Sequence, residues 1–204
     1  MDDLTLCLSG PTLRVRIPRA DDAPALFAGA SDPEVTRWFS WGPYRCEDEA
    51  RSYLARLAPQ RARGEQLDLV VEHGAAGPIG ISGLSEFAPR DRRATLGTWL
   101  ARAWWGTGAN HETKALMCHL AFAVLGLERL GAYSNVEHER SQRALERIGF
   151  RREGVLRGYH RHDGHALDVV VFGLLRDEWR ASPLADVPVA VAGSPPPPFV
   201  LAPP

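Results

Sequence analysis

Residues 104–114 read Trp104-Trp105-Gly106-Thr107-Gly108-Ala109-Asn110-His111-Glu112-Thr113-Lys114. They stand between an alternating apolar run that ends near Leu100 and a stretch of helical spacing that begins near Ala109. Two glycines at that junction leave the backbone bare where a ligand must come close. The first N–H groups of a helix have no intrahelical partner, and with the helix dipole they favour an anion, typically a phosphate. Trp105, Gly106, Thr107, Gly108, Ala109 and Asn110 are therefore a candidate phosphate cradle. A tight strand-to-helix connection with no ligand makes the same pattern. A Walker loop is excluded, because Ala109-Asn110 stands where Gly-Lys-Ser/Thr would complete it. A dinucleotide fold is excluded too: His111 replaces its third glycine, and Glu128 lies before the next strand, at the wrong end.

Working outward from the loop, Thr113, Leu116, Met117, Leu120 and Val124 make one apolar helical stripe that Gly126 stops. Leu130 to Ser134 reads as a strand. His138 to Ile148 reads as a helix with Ser141, Ala144, Leu145 and Ile148 on one face. Phe150 to His162 and His165 to Leu175 form a hairpin about the Asp163-Gly164 turn. Upstream, Leu67 to Glu72, Ile79 to Phe87 and Ala94 to Leu100 alternate as three strands. Glu47 to Arg63 has helical spacing, Trp38 to Tyr44 is an aromatic loop, and Asp32-Pro33 opens a short helix. Asp21-Asp22 caps another short helix, after a first strand from Leu13 to Ile17. This order predicts an α+β domain with a mixed, mostly antiparallel twisted sheet of about seven strands, flanked by helices around one central β-α-β unit. The domain is expected to span residues 1–180. Residues 181–204, with prolines at 195–198 and at 203–204, are expected to be a disordered tail.

The bulk composition excludes several classes. The chain has 204 residues, 45% apolar and 24% charged, with a net charge of −1. That is one ordinary soluble domain with no global pull toward nucleic acid or anionic lipid. Cys7, Cys46 and Cys118 form no disulfide framework and no zinc spacing. The acidic start Met1-Asp2-Asp3 is no secretory signal, and no apolar run is long enough for a membrane span. A cytoplasmic location is expected by default. His160, His162 and His165 are read as solvated hairpin residues, so no metal is expected.

Three segments together narrow the loop's meaning: residues 104–114, Glu128-Arg129-Leu130, and Ser141 to Gly154, which reads Ser-Gln-Arg-Ala-Leu-Glu-Arg-Ile-Gly-Phe-Arg-Arg-Glu-Gly. This pattern resembles the GNAT acyltransferase superfamily, and within it the RimJ/RimL-like branch. Leu13-Arg14, Asp21-Asp22-Ala23 and Asp32 to Trp38 fit the same branch, so the resemblance covers roughly residues 12 to 176. It implies acetyl-CoA as co-substrate and direct attack of an amine on the thioester. Trp99, Leu100 and Ala101 would offer backbone partners to the pantetheine arm, and Trp105 to Asn110 would cradle the pyrophosphate. The strand at Leu130 to Ser134 would diverge from its neighbour to open a slot. A backbone N–H near the end of the strand Ala94 to Leu100 would polarise the carbonyl.

The sequence departs from that pattern at three positions. Ala103 replaces the usual Gln or Arg before the glycines. His138 stands where the branch has Asn, with Asn135 close by as a substitute. Thr95 replaces a Glu that often serves as base, leaving Glu86 and Tyr133 as candidates. Ser141 is the implied donor to the leaving thiolate; a local helix-capping role is the alternative. An α-amine, with a pKa of about 7.7–8.0 against ~10.4 for lysine, needs little help from a base and is the expected acceptor type. A protein N-terminus and a small-molecule amine are both open as acceptors, and so is a homodimer. Trp38, Phe39, Trp41 and Tyr44 line the acceptor pocket or pack a loop. Two other classes stay in view: a non-catalytic acyl-CoA-binding or sensory module, and a scaffold whose Pro-rich tail recruits partners.

Overall fold

The computed structural model describes residues 5–162 and 164–201. Along the chain lie β1 (Cys7–Ser9), β2 (Leu13–Arg16), α1 (Ala23–Ala30), α2 (Pro33–Thr36), α3 (Glu47–Ala62), β3 (Leu67–His73), β4 (Gly77–Ala88) and β5 (Arg93–Leu100). There follow α4 (Ala109–His119), β6 (Arg129–Asn135), α5 (Glu139–Arg147), β7 (Arg151–His162), β8 (His165–Leu175), α6 (Arg176–Arg180) and β9 (Ala190–Ala192). Among the described residues these strands form one sheet in the order β7-β8-β6-β5-β4-β3-β2-β1-β9. Every neighbouring pair is antiparallel except β5 and β6, which α4 joins as a crossover.

Side-chain alternation divides the two faces. Ala94, Leu96 and Leu100 of β5 turn toward α4 and join the main core with Leu116, Met117 and Leu120. Trp99 turns to the opposite face, where Ala23, Leu26 and Ala50 from α1 and α3 pack on Val70 and Ile81. The Asp22 carboxylate starts α1 by accepting from Arg19 N at 2.7 Å, and Arg16 grips it at 2.6 and 2.9 Å. The π-turn Leu120–Val124 ends the α4 stripe just before Gly126.

The pairing of β5 with β6 is short. It covers Arg93↔Arg129, Ala94↔Leu130 and Thr95↔Gly131. Beyond that point β5 continues with β4 as far as Leu100↔Gly80, and β6 continues with β8 as far as Asn135↔Val169. The sheet therefore opens into a V whose apex is Thr95 and Gly131.

Two expectations need correction. The sheet has two strands more than the seven expected; β1 and β9 have three residues each, too few for alternation to register. The segment 181–204, expected to be disordered, is folded onto the domain through residue 201. β9 pairs with β1, Leu184 and Phe199 are buried, and Val187, Val189 and Leu201 pack on the core. Its prolines hid these apolar side chains, which find a hydrophobic surface already built and an open strand edge. Asp163, Met1 to Asp3, Pro203 and Pro204 lie outside the described residues.

Candidate active site

The loop after β5 is held from within. Trp105 Nε1 donates to Leu100 O at 2.9 Å, and Thr107 Oγ1 donates to Trp104 O at 2.9 Å while accepting from Ala109 N at 3.3 Å. Gly106 and Gly108 have φ of 77° and 94°, left-handed values that favour glycine. A Cβ built on either would meet no atom within 4 Å, so both face open space. The N-cap residue Gly108 has no side chain to cap α4, and beyond the Thr107 contact to Ala109 N no side-chain acceptor meets the first N–H groups of the helix among the described residues. A groove of about 430 Å³ lined by Trp104, Thr107, Gly108, Ala109 and His111 runs beside the loop.

The backbone of β5 sorts by parity. Ala101 N donates to Ile79 O at 2.8 Å, so the odd-numbered residues turn their N–H and C=O groups toward β4. The even-numbered Leu96, Thr98 and Leu100 turn theirs toward β6. Past the apex there is no strand opposite them, and Thr98 N–H is the first donor to face the gap. This corrects the expectation for Trp99 and Ala101, whose backbones face β4. Leu100 faces the gap, though its carbonyl accepts from Trp105. Lys114 lies buried behind this edge, with Nζ donating to Thr98 Oγ1 at 2.8 Å. Burial pulls its pKa down to about 8.

On the opposite face, at the apex, stands a carboxylate. Glu86 Oε2 accepts from Thr95 Oγ1 at 2.6 Å and from Tyr133 OH at 3.0 Å, and its Oε1 accepts from Tyr159 OH at 3.1 Å. Burial alone would raise this carboxyl, but the three hydroxyls and nearby Arg93 hold it below its ordinary value. Burial and these hydrogen bonds push the Tyr133 phenol upward. Tyr133, one of two candidate bases, is thus a donor to the other. Neither Thr95 as a holder nor Tyr159 was legible beforehand; Tyr159 reaches Glu86 from 73 positions away.

Helix α5 forms the far wall of the V. Ser141 sits half-buried in its first turn and caps nothing; its hydroxyl has no hydrogen-bond partner among the described residues. His138 precedes the helix and stacks on Trp38 with ring centroids 5.5 Å apart. Burial, with Arg140 beside it, pulls its pKa down to about 4, and its Nε2 is buried without a partner. Asn135 is less available, because its Oδ1 accepts from Glu137 N at 2.8 Å. Arg140, which sequence reasoning missed, lays its guanidinium 3.5 Å from the centre of the Trp105 ring. It makes no ion pair with a described residue.

The predicted aromatic wall divides. Phe39 stacks on Trp41 at 5.2 Å, and Trp41 meets Tyr44 at 5.4 Å and Trp99 at 5.9 Å. Trp38 turns away to His138. Tyr44 also packs against the α1–α3 core. Among the described residues no three His, Cys, Asp or Glu side chains are grouped to hold a metal, and no helix is long and apolar enough to cross a membrane.

Comparison with known proteins gives consistent matches. The family model described as "Acetyltransferase (GNAT) domain" matches residues 12–151. An uncharacterized N-acetyltransferase, YoaA of Bacillus subtilis (strain 168), is 31% identical over 157 residues, covering 76% of this chain and 88% of that protein. A putative ribosomal N-acetyltransferase, YdaF of the same organism, is 30% identical over 176 residues, covering 82% and 92%. The solved structure of Mycobacterium smegmatis RimJ in complex with CoA-disulfide superimposes with a TM-score of 0.79 at 21% identity, covering 87% of this chain and 91% of that one. At that identity the likeness speaks for the fold.

Proposed function

This chain belongs to the GNAT acetyltransferase family and is an N-acetyltransferase, and from that premise we propose an α-amine as its acceptor and Glu86 as the group that receives it. The observation that carries this reading is the V at Thr95 and Gly131, with a glycine loop at its mouth and the Glu86 carboxylate at its apex.

Acetyl-CoA supplies an activated thioester. The residues present fit it: two glycines leave bare backbone beside the α4 N-terminus, and Arg140 lies against the same loop with no ion pair within 4 Å among the described residues. Thr98 N–H, fixed on a strand edge, polarises the acyl carbonyl and needs no reorganisation to do so. The free Ser141 hydroxyl donates to the departing sulfur. Neutral His138 offers a ring nitrogen to the pantetheine arm.

Glu86 receives the amine. Because its carboxylate is held below the ordinary range, it is charged throughout the neutral region. It attracts an ammonium but takes a proton weakly, so water carries away the proton the amine loses. Selection then falls on amines that lose their own proton readily. At pH 7.5 an α-amine is about 30% neutral and a lysine side chain about 0.1%, a difference of roughly 250-fold. YdaF's name as a putative ribosomal N-acetyltransferase supports a protein N-terminus over a small amine.

The test is acetyl-CoA binding by calorimetry, then thiol release against peptides with a free α-amine, peptides with lysine as the sole amine, and small amines. Turnover with free N-termini and little with lysine is expected. Equal rates on both at every pH would refute the α-amine assignment.

A further inference from the structure

Glu86 occupies its place because of an irregularity in β4. Ser85 pairs with Thr95 and Ala88 with Arg93, so Glu86 and Phe87 together oppose Ala94 alone. This is a β-bulge, and its effect can be read from alternation. Ser82 and Leu84 face α4, where Ser82 Oγ lies 2.6 Å from Thr98 Oγ1 and Leu84 joins the main core. By alternation Glu86 would follow them into the apolar core, and Phe87 would emerge on the acceptor face. The bulge exchanges the two. Glu86 turns out to Thr95, Tyr133 and Tyr159, and Phe87 turns in.

The exchange is strained. Glu86 has φ of 50°, a left-handed value for a residue that carries a side chain. Such a conformation persists where the surroundings determine it. On the outer side the surroundings are three hydroxyls. On the inner side they come from the C-terminal segment. Phe199 is fully buried and packs edge-on against Phe87, with ring centroids 5.1 Å apart at 64°. A tight turn holds it there, with Phe199 N donating to Pro196 O at 2.9 Å and Val200 N to Pro197 O at 3.1 Å. Pro198 rests against Gly64, and β9 ties the approach to β1. The brace thus lies beyond residues 12–151, where the family model matches.

We propose that the C-terminal segment is part of the catalytic apparatus: Phe199 is a positioning residue that holds the β4 bulge and so presents Glu86 to the acceptor amine. This rests on the reading of Glu86 given above. The groups that face Glu86 are Thr95 and Arg93 of β5, Tyr133 of β6 and Tyr159 of β7.

Thiol release across a pH series, acetyl-CoA affinity by calorimetry and thermal melting are compared for the full chain, Glu86→Gln, Phe199→Leu, Phe199→Ala and the double variant Glu86→Gln/Phe199→Ala. Glu86→Gln is expected to lower kcat roughly 100-fold, because the amine loses the charge that positions it. Phe199→Ala is expected to lower it about 10-fold or more, with acetyl-CoA affinity within about twofold. The acid limb of its pH profile should move to higher pH, as the carboxylate loses the hydroxyl partners that hold it below its ordinary value. Phe199→Leu should keep most of the rate. In the double variant the loss should not exceed that of Glu86→Gln alone, because both act through one group. A folded Phe199→Ala with wild-type kcat and pH profile, or losses that multiply in the double variant, would overturn the proposal. If Phe199→Ala does not fold, Phe199→Met with and without Glu86→Gln makes the same comparison. Full activity of Glu86→Gln would remove the amine-receiving role of Glu86 and the brace together. Absent acetyl-CoA binding in the wild type would instead strike the coenzyme reading.

Discussion

Replacing Gly108 with alanine tests the loop by the smallest possible change. Gly108 precedes α4 with φ of 94° and ψ of −14°. A β-carbon makes that conformation cost about 1–2 kcal/mol. No atom lies within 4 Å of the added carbon, so a clash contributes nothing and strain is the whole penalty. In a domain of this size 1 kcal/mol shifts Tm by about 2–4 °C, so Tm should fall by about 2–8 °C. Affinity should suffer more. Relaxing φ rotates the first N–H groups of α4 away from the ligand, and each charge-assisted hydrogen bond lost is worth roughly 1.5–3 kcal/mol, or about 10- to 150-fold. Calorimetry with CoA and thermal melting measure the two effects on one sample. Gly108→Glu, which adds charge and bulk, should abolish binding. Gly74→Ala, at a surface glycine with no atom within 4 Å, is the control and should change neither quantity. If Gly108→Ala lowers Tm but leaves affinity within twofold, the α4 N-terminus does not bind the coenzyme.

Three further outcomes are expected. Ser141→Ala should lower kcat about tenfold with acetyl-CoA affinity retained, read by thiol release; an unchanged kcat would make the hydroxyl a bystander. Arg140→Ala should weaken acetyl-CoA about 10-fold or more while leaving an acetyl-pantetheine donor, which lacks the diphosphate, unaffected; equal losses with both donors would place Arg140 elsewhere. Lys114→Met should raise Tm at pH 7. The folded-state pKa of Lys114 is lowered to about 8 from 10.5, so the destabilisation is complete below pH 8 and is relieved as pH rises toward 10.5. It amounts to about 3 kcal/mol, and a variant less stable at pH 7 would contradict it.

Much of this architecture is legible in the sequence alone. The glycine loop was legible because Gly106 and Gly108 sit where period two gives way to period 3.6. The seven longer strands were legible from alternation, and the short strands β1 and β9 were not. Backbone direction was hidden as well. Side-chain alternation says which face Trp99 occupies, but not that its amide points to β4 and that of Thr98 to the gap. The Tyr159 contact was invisible because it depends on how a long hairpin curls back over the apex. Phe199 carries a signal in the sequence: a large apolar residue after four prolines is costly to leave in water.

The departure at Thr95 and the bulge at Glu86 are two aspects of one arrangement. The family resemblance implies a Glu where this chain has Thr95, and by sequence alone its absence reads as a lost base. In the fold, the point above Thr95 is filled by a carboxylate from the neighbouring strand, and Thr95 Oγ1 donates to it at 2.6 Å. A glutamate at position 95 would bring a second negative charge to the same spot, which raises the pKa of one partner sharply. A threonine supplies a donor instead, on a side chain whose branching leaves little rotational freedom. The site keeps one carboxylate at the apex, carried by a different strand. Its aim depends on a backbone irregularity in β4, where a glutamate on regular β5 would have needed none. Dependence on a strained bulge is what gives the inner face of β4, and the C-terminal segment packed on it, a bearing on the chemistry.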